Sequence, residues 1–228
     1  MSAIAAPTTP ASPARVPQPA VDPGQSVVLD NVSWSEYEVI GEALRDRPNL
    51  RLTYDRGRLE IMTLSQEHER FKYLIGRLID VLAEETGTRV EGFGSTTYKR
   101  DAAERGLEPD QCYYTRNFDR VRGLRRIDLA RDPPPDFAVE IDVTHSSLDR
   151  MGIYAALGIP EVWRLEGTVI RLYLLNADGR YEPADRSPTF PAVPVTDLVP
   201  FLQRGFTDGS ADMVRAVRAW VRNLPPRP

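Results

Sequence analysis

The densest chemistry in the chain lies in the window Pro135-Asp136-Phe137-Ala138-Val139-Glu140-Ile141-Asp142-Val143. Read at period two, Phe137, Val139, Ile141 and Val143 share one face of a strand, and Asp136, Ala138, Glu140 and Asp142 share the other. Alternate residues on one strand face sit ~7 Å apart. Clustered carboxylates repel: at an effective dielectric near 20, two charges 4 Å apart cost about 4 kcal/mol. A divalent cation would relieve that cost. The plainer reading is an exposed strand whose acids are solvated, but the apolar opposite face argues for a strand packed on a core. A second acidic strand start, Glu108-Pro109-Asp110-Gln111-Cys112-Tyr113-Tyr114, puts Asp110, Cys112 and Tyr114 on a common face. If the two strands are neighbours, Asp110 and Glu140 can hold one ion together. Mg²⁺ is commonly held by one or two carboxylates plus water and a substrate phosphate. Standing alone, Asp110 would read as a turn residue after proline.

The rest of the inventory narrows the chemistry. His68 and His145 are the only histidines and Cys112 the only cysteine, which argues against a zinc site and excludes an intramolecular disulfide. Any metal is therefore expected on oxygen ligands, as Mg²⁺ or Mn²⁺. No Gly-x-Ser-x-Gly and no phosphate-cradling glycine loop is present. Cys112 reads as a buried thiol rather than a nucleophile, since no histidine is placed beside it by the sequence. His68, flanked by Glu67 and Glu69 near a helix start, reads as a surface residue, and His145 as a loop residue.

The elements that must position these groups follow from pattern. The chain has 228 residues, 33 acidic and 29 basic, a net charge of -4, 41% hydrophobic and 27% charged residues. That is globular composition without a global nucleic-acid signature. No run of 18 apolar residues occurs, so no membrane span is expected. No basic flank precedes an apolar core at the N-terminus, so a cytoplasmic location is expected. Residues 1–26 form a proline-rich stretch that reads as a disordered tail, residues 27–223 as one domain, and 224–228 as a short tail. Ser33 with Glu36 fits a capping box for a helix to about Leu44. Strands at 50–54 and 58–62 flank Asp55-Arg56-Gly57 as a hairpin. Phe71, Leu74, Ile75, Leu78, Ile79 and Leu82 mark a helix over 65–86 that stops at Gly87. Strands are expected at 89–91, 95–99, 110–115, 137–143, 161–165, 169–175 and 180–182, and helices at 148–157, 197–203 and 210–223. This order predicts an α/β (α+β) fold, a mixed sheet flanked by helices.

With these residues assembled, the chain resembles a known family. Glu-Pro-Asp at 108–110, Pro-Pro-Asp-Phe-Ala-Val-Glu-Ile-Asp-Val-Thr at 134–144, and Tyr154-Ala-Ala-Leu-Gly-Ile-Pro-Glu-Val-Trp163 occur in the order of the Uma-two family. That family belongs to the restriction-endonuclease-like, PD-(D/E)XK superfamily. The strand Arg58-Leu-Glu-Ile-Met62 followed by His68 is similar to the family's opening. The resemblance covers roughly residues 33–203 and implies a metal-dependent endonuclease acting on DNA. It implies Asp110 and Glu140 as metal ligands, with Asp142 standing where the superfamily pattern has Lys. The family's basic residue then falls on the following helix, at Arg150. Lys can act as a base once its pKa is lowered, whereas Arg effectively cannot, so Arg150 is expected to neutralise charge or orient water. Asp142, counted with the catalytic set, or Asp136 is a candidate for a further ligand or a supporting role around the metal, and Glu67 and His68 are candidates for a supporting role. The segment Arg116 to Arg131 lies between the two acidic strands, and Arg122, Arg125 and Arg126 are expected to contact DNA phosphates. Duplex DNA is the expected partner, and two cuts in a duplex suggest a homodimer. The alternative is a catalytically impaired protein of the same fold that binds nucleic acid or another protein.

Overall fold

The computed structural model describes residues 24–47, 49–142, 148–167 and 169–225. Most of the expected N-terminal tail, Val143, His145 and residues 226–228 lie outside the described residues.

The chain opens with strand β1 (Ser26–Leu29), helix α1 (Trp34–Leu44) and the hairpin β2 (Leu50–Asp55) and β3 (Arg58–Thr63). The long helix α2 (Gln66–Thr86) follows, then the short strands β4 (Glu91–Gly92), β5 (Tyr98–Arg100), β6 (Arg105–Leu107) and β7 (Gln111–Tyr114). One helical turn, α3 (Phe118–Val121), interrupts the arginine-rich segment before β8 (Phe137–Asp142). Helix α4 (Arg150–Leu157) leads to β9 (Glu161–Glu166), β10 (Val169–Leu175) and β11 (Tyr181–Ala184), and α5 (Val199–Thr207) and α6 (Ser210–Arg222) end the fold.

The strands form two sheets. The first has the order β1-β3-β2-β6-β5 and is antiparallel throughout. The second has the order β11-β10-β9-β8-β7-β4, and only its β8–β9 pair is parallel. The fold is thus the mixed α+β arrangement that the order of elements predicts.

Three apolar clusters explain the layering. The apolar stripe of α2 packs with α5 and α6 on one face of the second sheet, against Phe137, Val139 and Ile141 of β8. The other face of β8 is covered too. Ala138 packs with Cys112 and with Ile153, Tyr154 and Leu157 of α4, alongside Tyr98 and Leu107 from the first sheet. Helix α1 covers part of the first sheet, with its Tyr37 in one cluster with Leu52 and Tyr54 of β2 and Leu59 of β3. The carboxylate face of β8 therefore looks into a helix and a second sheet, not into solvent.

Local signals hold the ends of the helices. Ser33 and Glu36 form the capping box of α1. Ser65 caps α2, and Gly87 ends it in the left-handed region, where a glycine carries no Cβ penalty.

Several expectations change. Ser26, expected in the N-terminal tail, pairs with Met62 at the edge of the first sheet. Leu224, expected in the C-terminal tail, packs against the main core. Strand β6 was absent from the expectation. Its three residues are too few to carry a period, and pairing with β2 and β5 supplies what propensity does not.

Candidate active site

Strands β7 and β8 pair antiparallel with Gln111 opposite Val139. One register step further puts Asp110 opposite Glu140, at the end of the pair. Asp110 is turned inward and fixed there: its Oδ2 accepts the Ile141 backbone N–H at 2.7 Å. Its Oδ1 lies 3.0 Å from Nε2 of His68. His68 sits in the first turn of α2, where its backbone N–H donates to the capping Ser65 Oγ at 3.1 Å. The surface position expected for His68 is corrected, since only 4% of the residue is exposed. The reason is that α2 lies across the end of the β7–β8 pair and aims its first turn at Asp110.

Glu140 is held by α4. Arg150 Nε stands 2.5 Å from Oε1, and Nη2 donates to Oε2 at 3.0 Å. One turn along the helix, the Tyr154 hydroxyl donates to Oε2 at 2.5 Å. Arg150 reaches further, with Nη1 to Thr53 Oγ1 at 2.6 Å and Nη2 to the Glu108 carbonyl at 2.9 Å. A cation in the first turn of a helix is opposed by the helix dipole. Glu140 offsets that opposition, and Asp149, the N-cap, accepts the Gly152 N–H at 3.0 Å. Asp142 ends β8, where Arg164 of the parallel neighbour β9 donates to its Oδ2 at 2.6 Å.

His68, Asp110, Glu140, Asp142, Arg150 and Arg164 all line one cavity of about 450 Å³. Its electrostatics follow from the packing. Burial opposes a charged His68, but the hydrogen bond and charge of Asp110, aided by Glu69 and Glu140, raise its pKa. Burial alone would also raise the Asp110 pKa, yet His68, Arg150 and the Ile141 N–H leave it below the ordinary carboxylate value. Glu140 goes the other way: burial raises it, Arg150 pulls it down, and Asp110 adds to the rise. Arg150 stays charged, because Glu140, Tyr154 and Asp110 outweigh burial. Nη2 of a guanidinium and a tyrosine hydroxyl both donate to Oε2, and Nε stands beside Oε1; surroundings made only of donors favour the paired, charged form.

Some expected residues are elsewhere. Asp136 does not line the cavity. It accepts the Thr115 and Asn117 backbone N–H groups at 2.8 and 2.9 Å and Asn117 Nδ2 at 2.7 Å, which shapes the start of the arginine loop. Glu67 also lies off the cavity wall. Arg122, Arg125 and Arg126 are exposed on the loop, and Arg122 faces Asp119 at 3.5 Å. Three residues that line or support the site carried no such expectation: Tyr154, Thr53 and Arg164. Tyr154 falls four positions after Arg150, on the same helix face, and that spacing was the available signal. Thr53 and Arg164 reach the site only through pairing across sheets and strands.

The donor set can be tested against a divalent cation. A carboxylate has about four lone-pair positions. Asp110 has two of them engaged and Glu140 two, both on Oε2. Each keeps capacity for one hard ligand bond, which suits an ion held by two protein oxygens with water and phosphate. Among the described residues no group of three or more His, Cys, Asp or Glu is placed to hold a metal. The residues thus fit a two-carboxylate site rather than a protein cage.

Comparison with known proteins gives the class first: a family model described as "Putative restriction endonuclease" matches residues 34–212. The chain belongs to this family, Uma2. No curated protein matches. Among solved structures, a "putative nuclease belonging to DUF820" from Anabaena variabilis ATCC 29413 is similar, with a TM-score of 0.45 and 11% identity over 75% of this chain and 90% of that one. Among the described residues no helix is long and apolar enough to cross a membrane.

Proposed function

We propose that the protein is a divalent-metal-dependent endonuclease that hydrolyses DNA phosphodiester bonds. One observation carries this reading: two carboxylates face each other at the end of β7 and β8, in one cavity with a buried guanidinium and a buried imidazole. Asp110 and Glu140 would hold Mg²⁺ or Mn²⁺. Bound there, such an ion lowers the pKa of its water and offsets charge on the attacked phosphate. His68 and the Ile141 N–H fix both oxygens of Asp110, so the ligand is oriented in advance. Arg150 cannot serve as the base and instead presents fixed positive charge where a phosphate would enter. Asp142 and Arg164 form the neighbouring wall. Arg122, Arg125 and Arg126 on the exposed loop would meet phosphates away from the scissile bond. Cutting both strands of a duplex takes two such sites, which a homodimer would supply.

The test is nicking of supercoiled plasmid in Mn²⁺ or Mg²⁺ by the wild-type chain, Asp110→Asn and Glu140→Ala. Nicking by the first alone is the expected result. Equal nicking by all three would assign the activity to a contaminant or another site.

A second reading is favoured by one contact, the clamp of Arg150 and Tyr154 on Glu140. On that reading the chain binds nucleic acid without cutting it. DNA binding with no response to metal would support it. Thermal stabilisation by Mn²⁺ that disappears in Asp110→Ala would support the first.

A further inference from the structure

We infer that a second concavity, next to the cavity that holds Asp110 and Glu140, binds the phosphate backbone of the strand to be cut; this rests on the nuclease reading above. The concavity has a volume of about 660 Å³ and shares Arg51 with the candidate active site as a common wall. That wall is fixed. Arg51 Nη2 donates to Ser95 Oγ at 3.0 Å, and Nη1 lies 3.5 Å from Glu108 Oε2. The Glu108 carbonyl in turn accepts from Arg150 at 2.9 Å. A strand leaving the scissile site on this side would pass Arg51.

The charge in the concavity points to a polyanion. Its lining includes six basic side chains and four glutamates, an excess of two positive charges in a chain whose net charge is -4. Every glutamate there already has a cation inside the concavity. Glu38 pairs with Lys99 at 2.7 Å and Glu42 with Arg45 at 2.9 Å. Glu69 lies 3.8 Å from Lys72, and Glu108 faces Arg51. The two cations left over are Arg47, just past α1, and Arg126, on the arginine loop. Neither has an ion-pair partner among the described residues. Lys72 and Lys99, the only lysines in the sequence, both line this wall. Two unpaired arginines brought together from distant parts of the chain, around a lining that is otherwise neutralised, suit a ligand with repeated negative charge and no required base. The phosphodiester backbone of nucleic acid has that chemistry.

The experiment separates binding from cutting. Fluorescein-labelled oligonucleotides, one single-stranded and one duplex, are titrated with full-length Glu140→Gln protein in EDTA across a salt series, read by anisotropy. The triple variant Glu140→Gln/Arg47→Ser/Arg126→Ser is compared, with Arg→Lys at both positions as the conservative control. Each phosphate contact contributes about 0.9 to the salt slope on duplex and about 0.7 on a single strand. The expected result is a slope shallower by about 1.4–1.8 in the serine variant and restored in the lysine variant, with the thermal midpoint unchanged. The oligonucleotide that shows the larger change identifies the form bound. An unchanged slope, or no binding by the Glu140→Gln parent at low salt, overturns the inference. Plasmid nicking by the wild-type chain is scored separately. Nicking with an unchanged slope removes only the groove, and a changed slope without nicking removes only the hydrolysis.

Discussion

Arg150 lays its guanidinium along the Glu140 carboxylate, with Nε 2.5 Å from Oε1 and Nη2 3.0 Å from Oε2. Both residues are largely buried, so either charge would be poorly hydrated if the other were removed. Breaking such a pair from one side costs about 3–5 kcal/mol, whereas replacing both members with apolar groups can be nearly neutral. Arg150→Met is therefore expected to lower the urea-unfolding free energy by about 3–5 kcal/mol. Arg150→Met/Glu140→Leu should recover most of that loss. Equal loss in the single and double variants would mean that the two side chains do not stabilise each other.

Cys112 is fully buried, and its Sγ lies 3.1 Å from the Tyr98 hydroxyl and 3.2 Å from the Gly94 carbonyl. Burial pushes the thiol up to about 11, against the opposing pull of the Tyr98 hydrogen bond. Thiolate is the reactive form. The native protein is expected to leave its one thiol unmodified by a disulfide reagent at pH 8, and to expose it fully in denaturant. Fast native-state modification would place the β7 segment outside the core.

Much of the fold was legible because the longest elements have strong periods. The α2 stripe, its Ser65 cap and its Gly87 stop are all local features. The β7–β8 partnership was legible as a condition: alternation set Asp110 and Glu140 on matching faces, and only pairing could join them. Helix α4 was legible as an element, but the reach of Tyr154 to Glu140 was not, since its hydroxyl looks like any aromatic packing residue in one dimension. His68 was misplaced for a related reason. A polar residue on the charged side of an amphipathic helix reads as solvent-facing, yet the first turn of α2 extends over the end of the sheet. Asp136 shares its strand face in the alternation, but it precedes β8, and the turn at Thr115–Asn117 claims both its oxygens.

Asp55 joins the hairpin to β6, accepting from Arg105 Nε at 2.8 Å and from Arg56 Nε at 3.0 Å. Arg105 also reaches the Gly152 carbonyl of α4 at 3.1 Å, so the contact ties the first sheet to the helix that carries Arg150. Burial alone would raise the Asp55 pKa, but the bonds and charges of the two arginines lower it below 3.8. A depressed carboxylate pKa contributes stability above the unfolded value and loses it as pH falls through the folded one. Asp55→Asn should therefore be less stable than wild type at pH 6, with the gap narrowing below pH 3.8. Urea unfolding at stepped pH reads the gap. A gap that stays constant from pH 6 to pH 3 would show that the carboxylate charge contributes nothing.

Tyr154 and Tyr181 make hydrogen bonds of equal length to different kinds of acceptor. Tyr154 donates to the Glu140 carboxylate at 2.5 Å, and Tyr181 to the Ile159 backbone carbonyl at 2.5 Å. Hydrogen bonds to charged groups contribute about 1.5–3 kcal/mol, and neutral ones about 0.5–1.5 kcal/mol. Replacing each tyrosine by phenylalanine removes one hydroxyl and little else, so the pair compares a carboxylate acceptor with a carbonyl acceptor. Tyr154→Phe is expected to be the more destabilising change, by about 1 kcal/mol or more. Introducing Tyr154→Phe into Glu140→Gln should cost less than introducing it into the wild type, because the neutral amide is a weaker acceptor. If Tyr154→Phe and Tyr181→Phe cost the same, Glu140 is protonated in the folded chain. The clamp by Arg150 would then be a charge-assisted hydrogen bond to a neutral carboxyl rather than an ion pair.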